Sequence, residues 1–252
     1  DVLGSRGLGD VYKRQVHRKL EHGLTSDLSS YEQVIYEYEH RDEDHPLFLF
    51  NVTIQNHGGY EDEDYRNTVQ VKEAPGEYPQ AEQYLSLIKK SDEALEYLVD
   101  YFSQQEEPVV ILFFGDHWPN LEEEFLTQML GEDTENPSFE SVMREYQVPF
   151  MIWANYDLDG EEIEAVSLNY LSGLLLRAAG LEGTDYITFL EELRQTLPVI
   201  TAMGVMDKDG NWYEHGEATP YDDLLNEYNI LEYNNAFGGD SKFMDVFTLK
   251  IP

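Results

Sequence analysis

The stretch that decides how this chain is read is Val109-Val110-Ile111-Leu112-Phe113-Phe114-Gly115-Asp116-His117-Trp118-Pro119. Six consecutive apolar residues fit a strand buried on both faces. The glycine, acid and imidazole that follow stand where an α/β protein places its chemistry, at the carboxyl end of a strand. Asp116 offers an anionic oxygen and His117 a neutral ring nitrogen, a donor pair suited to Zn2+ or Mn2+ rather than Ca2+. Gly115 lets the chain leave strand geometry, so the two adjacent side chains need not point to opposite faces. The structural alternative is that Asp116 caps the next helix and His117 packs beneath it.

A second strand end lies upstream. Leu47-Phe48-Leu49-Phe50-Asn51-Val52-Thr53-Ile54 reads as a strand, and it runs into Gln55-Asn56-His57-Gly58-Gly59-Tyr60, whose glycines end it. His57 could hold a substrate oxyanion or act as an acid or base; its plain alternative is a loop histidine. The other five histidines, His17, His22, His40, His45 and His215, sit in polar context and read as solvated.

Between these two stretches, apolar residues at helical spacing predict a helix from about Gln80 to Gln104, preceded by a long polar loop from Tyr60 to Tyr78. Leu28 to Glu39 reads as an amphipathic helix with Ser26 or Asp27 as its N-cap. Beyond the central strand come a short helix, Leu121 to Leu130, and a third strand, Val148 to Ala154. Two further helices span Ser167 to Ala179, closed by Gly180, and Tyr186 to Leu197. A turn at Asp207-Lys208-Asp209-Gly210-Asn211-Trp212 precedes a last helix around Tyr221 to Asn234. Alternating strands and helices at this spacing predict an α/β fold, a mostly parallel sheet with helices on both faces. A single domain is expected over residues 16–252, with about 198–252 as an optional small C-terminal subdomain. Residues Asp1 to Gln15, glycine-dotted and without a period, read as a non-native leader and are set aside.

Composition narrows the function. Sixteen Lys plus Arg against 51 Asp plus Glu give a formal net charge of −35, which repels nucleic acid and anionic headgroups. The acid excess reads as a solvated surface. With no cysteine, disulfides and thiolate metal sites are excluded, which fits an exported bacterial protein. No apolar run reaches the roughly 20 residues of a membrane span. Asp207-Lys208-Asp209-Gly210 opens like a calcium loop, but Ala218 stands at the twelfth position where a glutamate is needed, so a turn is expected. No nucleophile elbow, phosphate-binding glycine loop or zinc-protease motif is present.

Phe50-Asn51-Val52-Thr53-Ile54-Gln55-Asn56-His57-Gly58-Gly59-Tyr60, then Tyr84 and Ser91-Asp92, then Phe113-Phe114-Gly115-Asp116-His117 together resemble the later half of a lipoteichoic acid synthase catalytic domain, a sulfatase-like member of the alkaline phosphatase superfamily. Gly23-Leu24-Thr25-Ser26-Asp27 is similar to a segment that precedes this region in the family. Ile152-Trp153-Ala154-Asn155-Tyr156, Ser167-Leu168-Asn169-Tyr170 and Leu225-Asn226-Glu227-Tyr228 resemble its clostridial relatives. The resemblance runs from about Gly23 to Phe237.

It implies one divalent metal ion, manganese ahead of zinc, magnesium or calcium, with Asp116 and His117 as ligands. It also implies His57 as a substrate-binding residue, a glycerophospholipid donor and a glycerol-phosphate polymer acceptor. The catalytic domain would face outward from the cell membrane. In the family a glutamate ligand and a threonine nucleophile come from the earlier half of the domain, and no room remains for them before Gly23. The catalytic nucleophile is therefore expected upstream of this chain, the missing N-terminal half of the domain becomes an expected partner, and the 252 residues alone are expected to be inactive. Two alternatives stand beside this reading: a sulfatase or phosphoethanolamine transferase of the same superfamily, and a non-catalytic acidic surface-binding domain.

Overall fold

A computed structural model describes residues 18–42, 44–131 and 137–249. The leader expected at Asp1 to Gln15 lies outside the described residues. The chain divides into two compact units, Asp1–Glu106 with Gly115–Val148, and Glu107–Phe114 with Pro149–Pro252.

The first unit opens with an antiparallel pair, β1 (Leu20–Glu21) and β2 (Leu24–Thr25). Its tight turn takes positive φ at both His22 and Gly23. Helix α1 (Asp27–Glu39) follows, capped by Ser26, whose hydroxyl accepts from the Ser29 amide at 3.2 Å. Helix α2 (Pro79–Ser103) begins on a proline that fits the first helical turn. Its next two amides, of Gln80 and Ala81, donate to the two carboxylate oxygens of Glu122 at 2.6 and 3.0 Å. An acid at that end also complements the helix dipole. Helices α3 (Glu123–Leu130) and α4 (Phe139–Glu145) complete the unit. The second of these was not expected from the sequence, although Ser138 signals it by accepting from the Ser141 amide at 3.1 Å.

Tyr60, Tyr78, Ala81, Leu87 and Leu121 form the buried core of this unit. The long loop before α2 has no regular structure, yet polar side chains of the helix pin it down. Glu82 accepts from the amides of Val71 and Gly76 at 3.1 and 2.8 Å, and Ser86 accepts from those of Thr68 and Val69 at 2.9 and 3.0 Å. Loop amides that would otherwise need water are thereby satisfied.

The strand expected at Leu47 to Ile54 is not formed. That segment lies outside every ladder, and its apolar side chains face solvent, with Phe48 77% and Phe50 73% exposed. A strand needs a ladder for its backbone and a layer for its side chains, and no described strand pairs with this segment.

In the second unit, β3 (Val110–Phe114) pairs with β4 (Phe150–Ala154) in register from Val110 opposite Ala154 to Phe114 opposite Phe150. Asn155 extends the ladder: its side chain accepts from the Val109 amide and donates to the Glu107 carbonyl, both at 2.8 Å. The pairing is antiparallel, as is every pairing among the described strands, which corrects the expectation of a mostly parallel sheet. The βαβ reading assumed that helices between strands pack back on the sheet as crossovers. Here α3 and α4, which separate β3 from β4 in sequence, belong to the other unit. The central strand is also half-buried rather than fully buried.

A 3-10 turn (Leu168–Tyr170) leads into α5 (Leu171–Ala178), which ends at Gly180 with φ of 65°. Helix α6 (Asp185–Arg194) is capped by Thr184. Then come a meander of β5 (Val199–Ile200), β6 (Gly204–Met206) and β7 (Trp212–Glu214), and helices α7 (Asp222–Phe237) and α8 (Met244–Phe247). Tyr170, Leu190, Leu193, Leu197, Val205 and Tyr228 form this unit's core. The expected turn at Asp207 is present. Its carboxylate accepts from the amides of Asp209 and Asn211, both at 2.9 Å, and from the Tyr213 and Tyr221 hydroxyls.

Candidate metal and substrate site

Gly115 is where the chain turns toward the candidate ligands, and a larger residue there would crowd a neighbour. A Cβ added there would stand 3.0 Å from the Cβ of Val148. The next residue, Asp116, accepts the His117 amide on Oδ1 at 2.9 Å. His117 folds back so that its Nε2 lies 3.6 Å from Asp116 Oδ2, while its Nδ1 lies 2.7 Å from the Trp118 carbonyl oxygen. A carbonyl can only accept, so Nδ1 carries a proton, and in the neutral ring Nε2 is then the nitrogen whose lone pair is open to a metal ion. The Trp118 indole is fixed in turn by donating to the Gln147 carbonyl. Both side chains are open, Asp116 85% and His117 70% exposed.

This donor set fits the divalent ion that the resemblance implies: one carboxylate oxygen and one imidazole nitrogen on a common side, neither pinned in the core. Among the described residues no group of three or more His, Cys, Asp or Glu is placed to hold a metal ion. The alternative in which Asp116 caps a helix is not what forms. The helix that follows starts at Glu123, and Glu122 occupies its N-cap position.

His57 stands at the end of a turn closed by its own amide donating to the Ile54 carbonyl at 3.0 Å, with its side chain exposed. The residues before it are held firmly. Gln55 is buried, and Asn56 donates from its side chain to Ser91 Oγ at 2.7 Å. After His57, Gly59 takes a φ of 99°, a conformation natural to glycine, and Tyr60 returns to the core. The Tyr60 hydroxyl donates to the Asn56 carbonyl at 2.5 Å. Burial pushes its phenol up to about 12, with Tyr84 and the charge of Asp116 adding to the effect. Tyr60 therefore braces the turn that carries His57 and lies within reach of the charge on Asp116.

Sequence reasoning did not identify Tyr60 or the buried polar group around Ser91. The signal for Ser91 was present. On α2 it falls four residues after Leu87 and four before Leu95, inside the apolar stripe, where a hydroxyl must find partners. His22, read as solvated, is instead half-buried, its ring stacked 6.4 Å from Tyr60 and edge-on to Tyr65 at 5.8 Å. Asp92 is exposed.

Comparison with known proteins places the fold and the family. The chain is 28% identical over 206 residues to a protein of Rhizobium meliloti (strain 1021) named for cyclic beta-1,2-glucan modification, a match covering 77% of this chain and 31% of that protein. Its fold is similar to that of Streptococcus pyogenes phosphoglycerol transferase GacH, solved in complex with sn-glycerol-1-phosphate. That match has a TM-score of 0.61 at 15% identity and covers 94% of this chain and 56% of the transferase. The chain thus spans about a third of the length of the first protein and just over half of the second. The fold is α/β and sulfatase-like. Since the Sulfatase family model matches residues 3–181, which hold His57, Asp116 and His117, the chain belongs to the Sulfatase family.

Proposed function

We propose that these residues are the carboxy-terminal part of a metal-dependent phosphoglycerol transferase that builds a glycerol-phosphate polymer at the cell surface. The observation that carries this reading is the Asp116–His117 pair, with Nε2 and Oδ2 3.6 Å apart and the imidazole tautomer set by the Trp118 carbonyl. Asp116 and His117 would hold one divalent ion, manganese on the strength of the resemblance. Such an ion supplies Lewis-acid polarisation of a phosphoryl oxygen and lowers the pKa of an attacking hydroxyl.

The chain's own residues have separable tasks. Asp116 contributes negative charge to the ion, and His117 contributes a neutral lone pair. His57, exposed on a braced turn, donates a hydrogen bond to a phosphoryl oxygen of a glycerophospholipid donor, where charge builds during transfer. The threonine nucleophile and the glutamate ligand belong to an upstream half of the same domain, and the glycerol-phosphate polymer accepts the transferred group. The solvent-facing apolar side chains from Leu47 to Val52 support docking with that half, since a surface of this kind marks an interaction site. The outward-facing membrane location rests on the resemblance; among the described residues no helix is long and apolar enough to cross a membrane.

A second reading, hydrolysis of a sulfate ester, is favoured by one observation: the family model that matches is Sulfatase. The same donor pair serves either chemistry. The test is turnover by the full-length protein with manganese, supplied in parallel with phosphatidylglycerol vesicles and an aryl sulfate. The proposal expects turnover of the lipid, a large loss of kcat in His57→Ala with bound metal retained, and none from the 252 residues alone. Turnover of the sulfate ester only would reject phosphoglycerol transfer, and normal turnover in His57→Ala would reject its substrate role.

A further inference from the structure

We propose that Ser91, acting with Asp27 and Asn56, is a positioning residue for His57: it fixes the turn that presents the imidazole without touching substrate itself. The inference rests on the substrate role of His57 proposed above and adds residues to that site.

A serine hydroxyl has one hydrogen to give and two lone pairs to receive, and Ser91 uses all three. It donates to Asp27 Oδ2 at 2.6 Å and accepts from Asn56 Nδ2 at 2.7 Å and Gln55 Nε2 at 3.1 Å. The direction of each bond follows from the first. An ionised carboxylate only accepts, so Asp27 draws the Ser91 hydrogen toward itself. The hydroxyl oxygen is then left to receive two amides, which sets how both the Gln55 and Asn56 side chains are turned.

Gln55 closes the circuit. Its amide nitrogen also donates to the Leu87 carbonyl at 3.2 Å, and its oxygen accepts from the Asp27 amide at 3.1 Å. Asp27 opens α1 and Ser91 lies within α2, so the turn is tied to two helices at once. Asn56 is held from the other side as well, by the Tyr60 hydroxyl on its carbonyl. The residue immediately before His57 is thus fixed at both its side chain and its main chain, whereas Gly58 and Gly59 on the far side impose little constraint. Asp27 is buried, and burial raises its pKa; the Ser91 hydroxyl, the Gln55 amide and the Thr53 hydroxyl oppose that rise. Asp27 Oδ1 is buried without a hydrogen bond of ordinary length, but every bond that reaches Asn56 and Gln55 through Ser91 is made, and those are the bonds that hold the turn rigid.

The experiment compares Ser91→Ala, Asn56→Ala, Ser91→Thr and His57→Ala in the full-length protein. The readouts are bound manganese, Tm, and kcat and KM on phosphatidylglycerol vesicles. Alongside them, the imidazole Cε1–H signal of His57 is followed by NMR and assigned by its loss in His57→Ala. Loss of an outer-layer orienting partner typically costs about 10- to 100-fold in activity. Ser91→Ala and Asn56→Ala should therefore lower kcat by that order with KM and metal content unchanged, shift or broaden the His57 signal, and be rescued at position 91 by threonine. Full kcat in Ser91→Ala, where His57→Ala is impaired, overturns the proposal. If His57→Ala itself keeps full kcat, the substrate role of His57 falls. The positioning claim is then decided by the NMR signal alone, an unshifted sharp resonance in Ser91→Ala rejecting it. Should Ser91→Ala fail to fold, Asn56→Ala gives the same comparison with the Asp27–Ser91 bond intact.

Discussion

At the scale of single residues, two buried acids respond to pH in opposite senses. Asp207, only 2% exposed, is held at about 2, below its usual 3.8. The Asn211 side chain is the main cause, helped by the amides of Asn211 and Asp209 and the Tyr221 hydroxyl, all of which favour the ionised form. A depressed folded value means its stabilisation is present above about pH 4 and is lost as pH falls through about 2. Asp207→Asn should lower the urea midpoint at neutral pH and flatten its decline between pH 4 and 2. An unchanged acid limb in the variant would remove Asp207 as the cause. Asp27 runs the other way: burial raises it, so its ionisation opposes folding as pH rises. The Asp207 turn was legible because Asp-Lys-Asp-Gly-Asn names its own geometry locally. The Asp27–Ser91–Asn56 group was not, because it joins residues up to 64 apart in sequence and periodicity says nothing about such partners.

At the scale of elements, the sequence marked most helices to within a few residues. Helix α2 was expected at about Gln80 to Gln104 and forms at Pro79–Ser103; α1 starts where Ser26 can cap it. The strands were harder. An apolar run reports that a segment seeks burial, not which neighbour it pairs with or in which direction. Val110–Phe114 found an antiparallel partner and Leu47 to Ile54 found none among the described residues. The junction after β3 makes a definite prediction. In Gly115→Ala the new methyl meets Val148 at 3.0 Å, tight enough that one of them must move. The variant should lose about 1 kcal/mol or more, read from urea unfolding, and should weaken manganese binding through displacement of Asp116. Val148→Gly in the same background, which removes the Cβ that the new methyl meets, should recover much of the manganese binding. Failure of that second change to restore it would show that the methyl acts elsewhere.

At the scale of the whole molecule, composition excluded more than it identified. A net charge of −35 argues against polyanion partners, yet it is silent on chemistry. The candidate site was legible as two adjacent ligand types after a glycine, and the structure turns that adjacency into a shared side with His117 Nδ1 held on the Trp118 carbonyl. What the sequence could not supply was any further ligand for the proposed ion, since ligands from distant segments leave no local pattern. The central claim is that Asp116 and His117 hold the metal, and the measurement that tests it most directly is manganese bound per chain at equilibrium in the full-length protein. The account predicts one ion in the wild type and loss of stoichiometric binding in both Asp116→Ala and His117→Ala; one tightly held ion per chain in both variants would contradict it.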